Sequence, residues 1–221
     1  SDVFARNETV RKISFTGSTE VGAKIFANSA DQIKKLSLEL GGNAPFLVFD
    51  DADLDKAVDG VLASKFRNSG QTCVCTNRVY VQTGIYDEFC RRLAEKVAAF
   101  KLGNGLEEGV NQGPLIEEKA VEKVEEHIAD ALAKGAVCLA GGKRSSLGGT
   151  FFEPTVLRDV TADMAVAREE TFGPLCPVFR FDSEEEAIAA ANHTEFGLAS
   201  YLFTRDTARQ WRVGEALEYG M

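Results

Sequence analysis

The sequence predicts an α/β fold, with a largely parallel sheet flanked by helices. Short β-rich or apolar runs alternate with stretches whose apolar residues recur at helical spacing, from residue 12 to residue 216. Glycine-containing turns punctuate that alternation at Gly17, Gly41-Gly42, Gly113-Pro114, Gly135 and Gly173-Pro174. There is no internal repeat and no low-complexity segment.

Residues 12–16, Lys-Ile-Ser-Phe-Thr, alternate as a strand does and run into Gly17-Ser18-Thr19-Glu20-Val21-Gly22, which opens a helix to about residue 29. Ser18 or Thr19 can cap that helix, whose free amides and positive dipole end attract phosphate. The spacing is not Gly-x-Gly-x-x-Gly, so the same residues also read as an ordinary strand-to-helix turn. Residues 34–40 form a second strand in which leucines alternate with Ser37 and Glu39 before Gly41-Gly42. A carboxylate on the last pleat, just before two glycines, stands where backbone can approach a ligand closely. A surface glutamate is the alternative.

Residues 45–49 read as a buried strand, and Asp50-Asp51-Ala52-Asp53 supplies acidic residues for a helix start. The helix 54–67 places Leu54, Ala57, Val58, Val61, Leu62 and Phe66 on one packing face. A loop carrying Cys73 follows, then a strand at 78–82 and an amphipathic helix at 86–100, in which Cys90 is a packing residue. A charged helix spans 117–134, where His127 reads as part of a solvated face. Residues 137–139 form a short strand, 141–149 a glycine- and serine-rich turn region, and 151–157 a strand interrupted by Pro154, hence an edge or bent one. Glu169 to Pro174 is a loop with a carboxylate and an aromatic ring side by side. Strands at 176–181 and 199–203, each followed by a helix (184–192 and 208–216), complete the alternation.

With 25 Lys and Arg against 34 Asp and Glu the net charge is −9, which argues against a nucleic-acid or anionic-membrane surface. No run reaches transmembrane length and no signal peptide is visible, so the expectation is a cytoplasmic protein. The five cysteines are odd in number and lack zinc spacing, so reduced thiols and no metal site are expected. His127 and His193 are the only histidines, which leaves few candidates for a histidine-based nucleophile. The chain begins at Ser1 without a methionine and stops where another strand is expected, so it reads as part of a longer protein.

The residues that carry chemistry centre on Gly70-Gln71-Thr72-Cys73, a turn that delivers a cysteine at the end of an amphipathic run, with Arg67 six residues earlier. Only a thiolate is strongly nucleophilic, so such a site needs a positive or hydrogen-bond-donating environment and a base in reach. Glu39 is the candidate base. Packing is the alternative for any free cysteine.

Four stretches now agree. Phe15-Thr16-Gly17-Ser18, Leu38-Glu39-Leu40-Gly41-Gly42, Gly70-Gln71-Thr72-Cys73 and Glu170-Thr171-Phe172-Gly173-Pro174 resemble, in this order and at these separations, the motifs of NAD(P)-dependent aldehyde dehydrogenases. The resemblance covers essentially the whole chain. It implies that residues 1–42 are the C-terminal remnant of an NAD(P)-binding domain and 43–221 an aldehyde-dehydrogenase-like catalytic domain, incomplete at its C-terminus. Residues 66–75, Gly113-Pro114-Leu115-Ile116 and residues 118–124 further resemble the succinate-semialdehyde dehydrogenase branch, which oxidises an aldehyde bearing a distal carboxylate.

The resemblance implies a role for each candidate residue. Cys73 would attack the aldehyde, its own backbone amide helping to stabilise the alkoxide. After hydride transfer to NAD or NADP, Glu39 would activate water to hydrolyse the thioester. Arg67 would clamp the distal carboxylate through parallel hydrogen bonds, with a plain helix-end arginine as the alternative. Gly17, Ser18 and Leu40 would contact the cofactor, and Glu170 and Phe172 would orient its nicotinamide ribose and ring. Cys75 is a candidate redox partner for Cys73, or a packing residue. The full-length protein would be a homo-oligomer, and the chain alone would have little or no activity. The alternatives are an enzyme for another semialdehyde such as glutarate semialdehyde, since one methylene discriminates weakly, and a non-catalytic domain that binds ligands or partners.

Overall fold

The computed structural model describes residues 2–221. The chain forms two compact units, one ending at Gly41 and the other spanning Gly42–Met221.

The first unit contains α1 (Asp2–Arg6), β1 (Lys12–Thr16), α2 (Thr19–Ser29) and β2 (Lys35–Glu39). β1 and β2 pair in parallel, from Lys12 opposite Lys35 to Thr16 opposite Glu39. Parallel neighbours cannot be joined by a tight turn, and α2 supplies the crossover. The Gly17 amide donates to the Glu39 carbonyl at 3.0 Å, which continues the pairing one residue beyond β1. A Cβ at Gly22 would lie 2.5 Å from Leu40 Cδ2, so α2 sits close against the chain leaving β2.

The second unit is built on β3 (Ala44–Val48), β4 (Thr76–Gln82), β5 (Val137–Ala140), β6 (Thr155–Arg158), β7 (Leu175–Phe181) and β8 (Tyr201–Phe203). Their order across the sheet is β5-β6-β7-β4-β3-β8. Only the β5–β6 pair is antiparallel, so the expected largely parallel α/β sheet is what forms. Phe46 and Val48 of β3 face a core shared with α3 (Leu54–Lys65) and α4 (Tyr86–Ala98). Leu47 and Phe49 face a second core with α5 (Glu118–Ala133), α7 (Glu184–Asn192) and α8 (Thr207–Ala216), while α6 (Ala165–Arg168) adds Val166 and Ala167. Successive side chains of a strand point to opposite faces, so a strand covered on both sides needs the unbroken apolar run that residues 45–49 provide. No helix among the described residues is long and apolar enough to cross a membrane.

Two local expectations are corrected. The strand near Pro154 is neither the edge nor bent around the proline. β6 starts at Thr155 and lies between β5 and β7. Pro154 falls just outside the ladder, where its missing N–H costs no hydrogen bond.

His127 is not on a solvated face: it is 3% exposed. It shares the buried stripe Val124, His127, Ile128 and Ala131 of α5, an i, i+3, i+4, i+7 set that the surrounding glutamates disguised. Burial holds the imidazole below its ordinary value of 6.5, and the Lys123 charge pushes the same way, against the opposing Glu169 and Glu126. The folded protein therefore binds this proton less readily than the unfolded chain does. His127 contributes its full stability above the ordinary pKa of 6.5 and loses it as pH falls from there toward the depressed folded value. Urea unfolding across that window is expected to show a fall in stability toward acid that His127→Gln makes shallower. Identical pH slopes for the two proteins would refute this.

Candidate active site

α3 ends at Lys65, and the chain turns through Arg67–Gly70 with Asn68 and Ser69 at φ 52° and 55° and Gly70 at φ +76°. Asparagine tolerates the left-handed region and glycine is free there, but serine carries a cost of roughly 1 kcal/mol. Such a turn persists only where its surroundings over-determine it. Here the Asn68 side-chain amide donates to the Gln71 carbonyl at 3.0 Å, and that of Gln71 returns to the Asn68 carbonyl at 3.2 Å. Ser69 Oγ donates to the Gly113 carbonyl at 3.0 Å, and Gln71 Oε1 accepts the Ile116 amide at 2.9 Å. The turn is thus strapped to the segment that leads into α5.

Cys73 comes next, half-buried with a free thiol. Its backbone is fixed from several sides. The Cys75 amide donates to the Thr72 carbonyl at 2.9 Å, and the Tyr201 hydroxyl donates to the Val74 carbonyl at 2.7 Å. A Cβ at Gly42 would fall 2.3 Å from the Cys73 carbonyl oxygen, so only glycine permits that approach. Arg67 is exposed at the start of the same turn. Burial raises the pKa of the Tyr201 phenol, which also feels both the Arg67 charge and the Cys73 thiol.

The Glu169–Pro174 loop lies against this turn. A Cβ at Gly70 would meet the Gly173 carbonyl oxygen at 2.0 Å. Glu170 Oε1 accepts the Gly42 amide at 3.1 Å. Burial lifts the Glu170 carboxyl above its ordinary range, against that hydrogen bond and the charges of Lys123 and Lys65. Phe172 is 39% exposed and adopts φ +52°. Of the residues singled out from sequence, Cys73, Arg67, Glu170 and Phe172 therefore sit on adjoining loops of one unit.

The other cysteines are poorly suited to attack. Burial pushes Cys90 and Cys176 up to about 12 and also raises Cys75. Cys75 is buried, and its thiol donates to the Lys65 carbonyl at 3.1 Å. That environment supports its packing role. A bridge to Cys73 would require the side chain to leave the carbonyl.

In the first unit, Ser18 caps α2, its Oγ accepting the Val21 amide at 3.3 Å. Gly17 and Ser18 follow β1, Glu39 is the exposed last residue of β2, and Leu40 is half-buried against Gly22. All four stand at the carboxyl ends of two parallel strands, where ligands of open α/β sheets collect.

Sequence reasoning missed the buried polar frame behind Cys73. Lys65 is fully buried. It donates to Asn77 Oδ1 at 3.0 Å, Asn77 Nδ2 donates to the Gly42 carbonyl at 3.3 Å, and the Gly42 amide reaches Glu170. The available signal was the position of Lys65 on the apolar stripe Val58, Val61, Lys65. Arg78, also fully buried, donates to the carbonyls of Asn43 (3.0 Å), Ala190 (3.0 Å) and Ala191 (2.9 Å) and to the Tyr219 hydroxyl (2.9 Å). Nothing in the local pattern of β4 announced it.

Comparison with known proteins finds similar sequences and structures along the whole chain. The 3-sulfolactaldehyde dehydrogenase of Pseudomonas putida is 63% identical over 219 residues, covering 99% of this chain and 45% of that protein. The glutarate-semialdehyde dehydrogenase of Pseudomonas aeruginosa is 64% identical over 215 residues, covering 97% of this chain and 44% of that protein. The crystal structure of succinate-semialdehyde dehydrogenase from Burkholderia pseudomallei superposes with a TM-score of 0.98 at 64% identity, covering 100% of this chain and 46% of that one. The chain thus spans less than half the length of the relatives it matches. The profile of the aldehyde dehydrogenase family matches residues 1–221 from end to end, and the chain belongs to that family.

Proposed function

We propose that this chain carries the nucleophile, the base and part of the cofactor contacts for NAD(P)-dependent oxidation of succinate semialdehyde to succinate. The activity is proposed for a homo-oligomeric polypeptide of the relatives' full length, not for these 221 residues alone. Residues 1–42 would belong to its NAD(P)-binding domain and residues 43–221 to its catalytic domain. The observation that supports this reading is the half-buried Cys73 thiol fixed on a strained turn, with an exposed guanidinium six residues before it.

In the proposed reaction Cys73 Sγ attacks the aldehyde carbon, and the Cys73 amide donates to the alkoxide of the resulting thiohemiacetal. A nicotinamide cofactor, its ring and ribose oriented by Phe172 and Glu170, would supply the hydride acceptor for the oxidation. A thioester on Cys73 remains, and Glu39 removes a proton from the water that attacks it, releasing the acid and the thiol. The residues present fit such a cofactor. α2 offers a capped helix N-terminus of the kind that binds phosphate. Glu170, one oxygen anchored on Gly42, has its other oxygen for a hydroxyl of the ribose.

Glu39→Gln is expected to yield a burst of about one equivalent of reduced cofactor per site, followed by a slow steady state, because acylation proceeds and hydrolysis stalls. Loss of the burst together with turnover would deny Glu39 this role.

The substrates named for the relatives are aldehydes with an anionic far end, and Arg67 would bind that end. Arg67→Met is expected to lower kcat/KM for succinate semialdehyde by roughly 100-fold, the loss typical of a charge-assisted hydrogen-bonded pair, and to leave butanal within about threefold. Equal losses on both aldehydes would remove Arg67 from substrate binding. Glutarate semialdehyde is the second reading, favoured by the P. aeruginosa relative. One methylene is worth about 1–3 kcal/mol, so comparing kcat/KM for the two semialdehydes decides between them.

A further inference from the structure

The loop that bears Glu170 and Phe172 is held by α5 at three points. Lys123 Nζ lies 3.7 Å from Glu169 Oε2, at the start of the loop. Gly173 packs so closely on Val124 that a Cβ there would lie 2.5 Å from Val124 Cγ2. Between these contacts the His127 ring meets Thr171, Nδ1 to Oγ1 at 3.0 Å, with both side chains buried. Its other nitrogen faces Glu169 Oε2 at 3.4 Å. A carboxylate accepts, so Nε2 carries the hydrogen, and Nδ1 accepts the Thr171 hydroxyl. Burial, which favours the neutral imidazole, agrees with that tautomer.

Phe172, the residue between Thr171 and Gly173, is the strained one. A bulky side chain at φ +52° is an outlier that must be held from outside. Both of its chain neighbours are pinned to α5, one by a hydrogen bond and one by van der Waals contact. We propose that His127 is a positioning residue for the cofactor, which through Thr171 holds Phe172 in its left-handed conformation and Glu170 in its place. The inference rests on the reading of Glu170 and Phe172 as cofactor contacts. It adds a residue in α5 that acts on the cofactor only through the loop.

The test uses the full-length polypeptide carrying His127→Leu, which removes the acceptor, His127→Asn, whose Oδ1 can restore it, and Thr171→Val, which removes the hydroxyl without touching α5. His127→Leu and Thr171→Val are each expected to raise the KM for NAD(P) about tenfold, the worth of one buried hydrogen bond, while the semialdehyde KM stays within about twofold. His127→Asn is expected to recover most of that loss. Hydrogen exchange at the amides of residues 171–173 is expected to speed up in the first two variants and not in the third. Unchanged cofactor KM and unchanged exchange in both His127→Leu and Thr171→Val would overturn the proposal, as would equal increases in both KM values. If the unmodified enzyme reduces neither NAD nor NADP with any semialdehyde, the functional reading fails instead, and the exchange measurement still decides whether His127 holds the loop.

Discussion

Replacing Cys73 by alanine in the full-length polypeptide is expected to reduce kcat/KM for succinate semialdehyde by at least about four orders of magnitude, the scale set by removal of a covalent nucleophile. The loss follows from the cysteine inventory. Cys75, Cys90 and Cys176 are buried with raised pKa values, so they cannot present a thiolate in its stead. Cys138 is half-buried on β5, and burial raises its pKa as well. Alanine keeps the backbone of the turn, whose hydrogen bonds run through Asn68, Ser69, Gln71 and Cys75 rather than through Sγ. The dissociation constant for NAD(P) should therefore stay within about threefold, which separates lost chemistry from lost structure. Residual turnover above about 1% of the parent rate would move the nucleophile elsewhere.

The second large effect concerns architecture. Gly70→Ala is expected to destabilise the protein by about 3 kcal/mol or more, because two penalties coincide. The new Cβ would occupy φ +76°, which costs alanine roughly 1 kcal/mol. It would also lie 2.0 Å from the Gly173 carbonyl oxygen, a backbone atom that can yield only if the whole Glu169–Pro174 loop shifts. Gly105→Ala is the matched control: a Cβ there meets nothing within 4 Å, so its effect should stay within about 0.5 kcal/mol. Urea unfolding midpoints of the two variants against the parent check this. Equal midpoints for Gly70→Ala and the control would mean that the two loops are not in contact in solution.

The legible parts of the sequence were those with a strong period or a local motif. The apolar run at 45–49 and the stripe from Leu54 to Phe66 gave a buried strand and its helix because each pattern has one dominant periodicity. Cys73, Arg67, Glu170 and Phe172 could be picked out from short motifs, and the fold places them on adjoining loops. The rest depended on partners distant in sequence. Nothing near His127 encodes Thr171, 44 residues away, and nothing near Arg78 encodes the Ala190 and Ala191 carbonyls, 112 and 113 residues away. A charged side chain satisfied by remote backbone carbonyls has no local signature. Lys65 was the exception, since a lysine on an apolar stripe breaks the pattern visibly. Pro154 misled for the opposite reason: its effect on a ladder depends on a one-residue difference in where β6 begins.

The contacts that fix Cys73 and its neighbours have a consequence for biosynthesis. Tyr201 reaches back 127 positions to Val74, Glu170 reaches back 128 to Gly42, and Tyr219 stands 141 positions from Arg78. Interactions closed over such distances cannot assist a nascent chain until its later half has left the ribosome. The Glu170–Gly42 and Tyr201–Val74 hydrogen bonds are then among the last to form, and a truncated translation product ending before Glu170 would hold the Cys73 turn only by the bonds closed within residues 68–116.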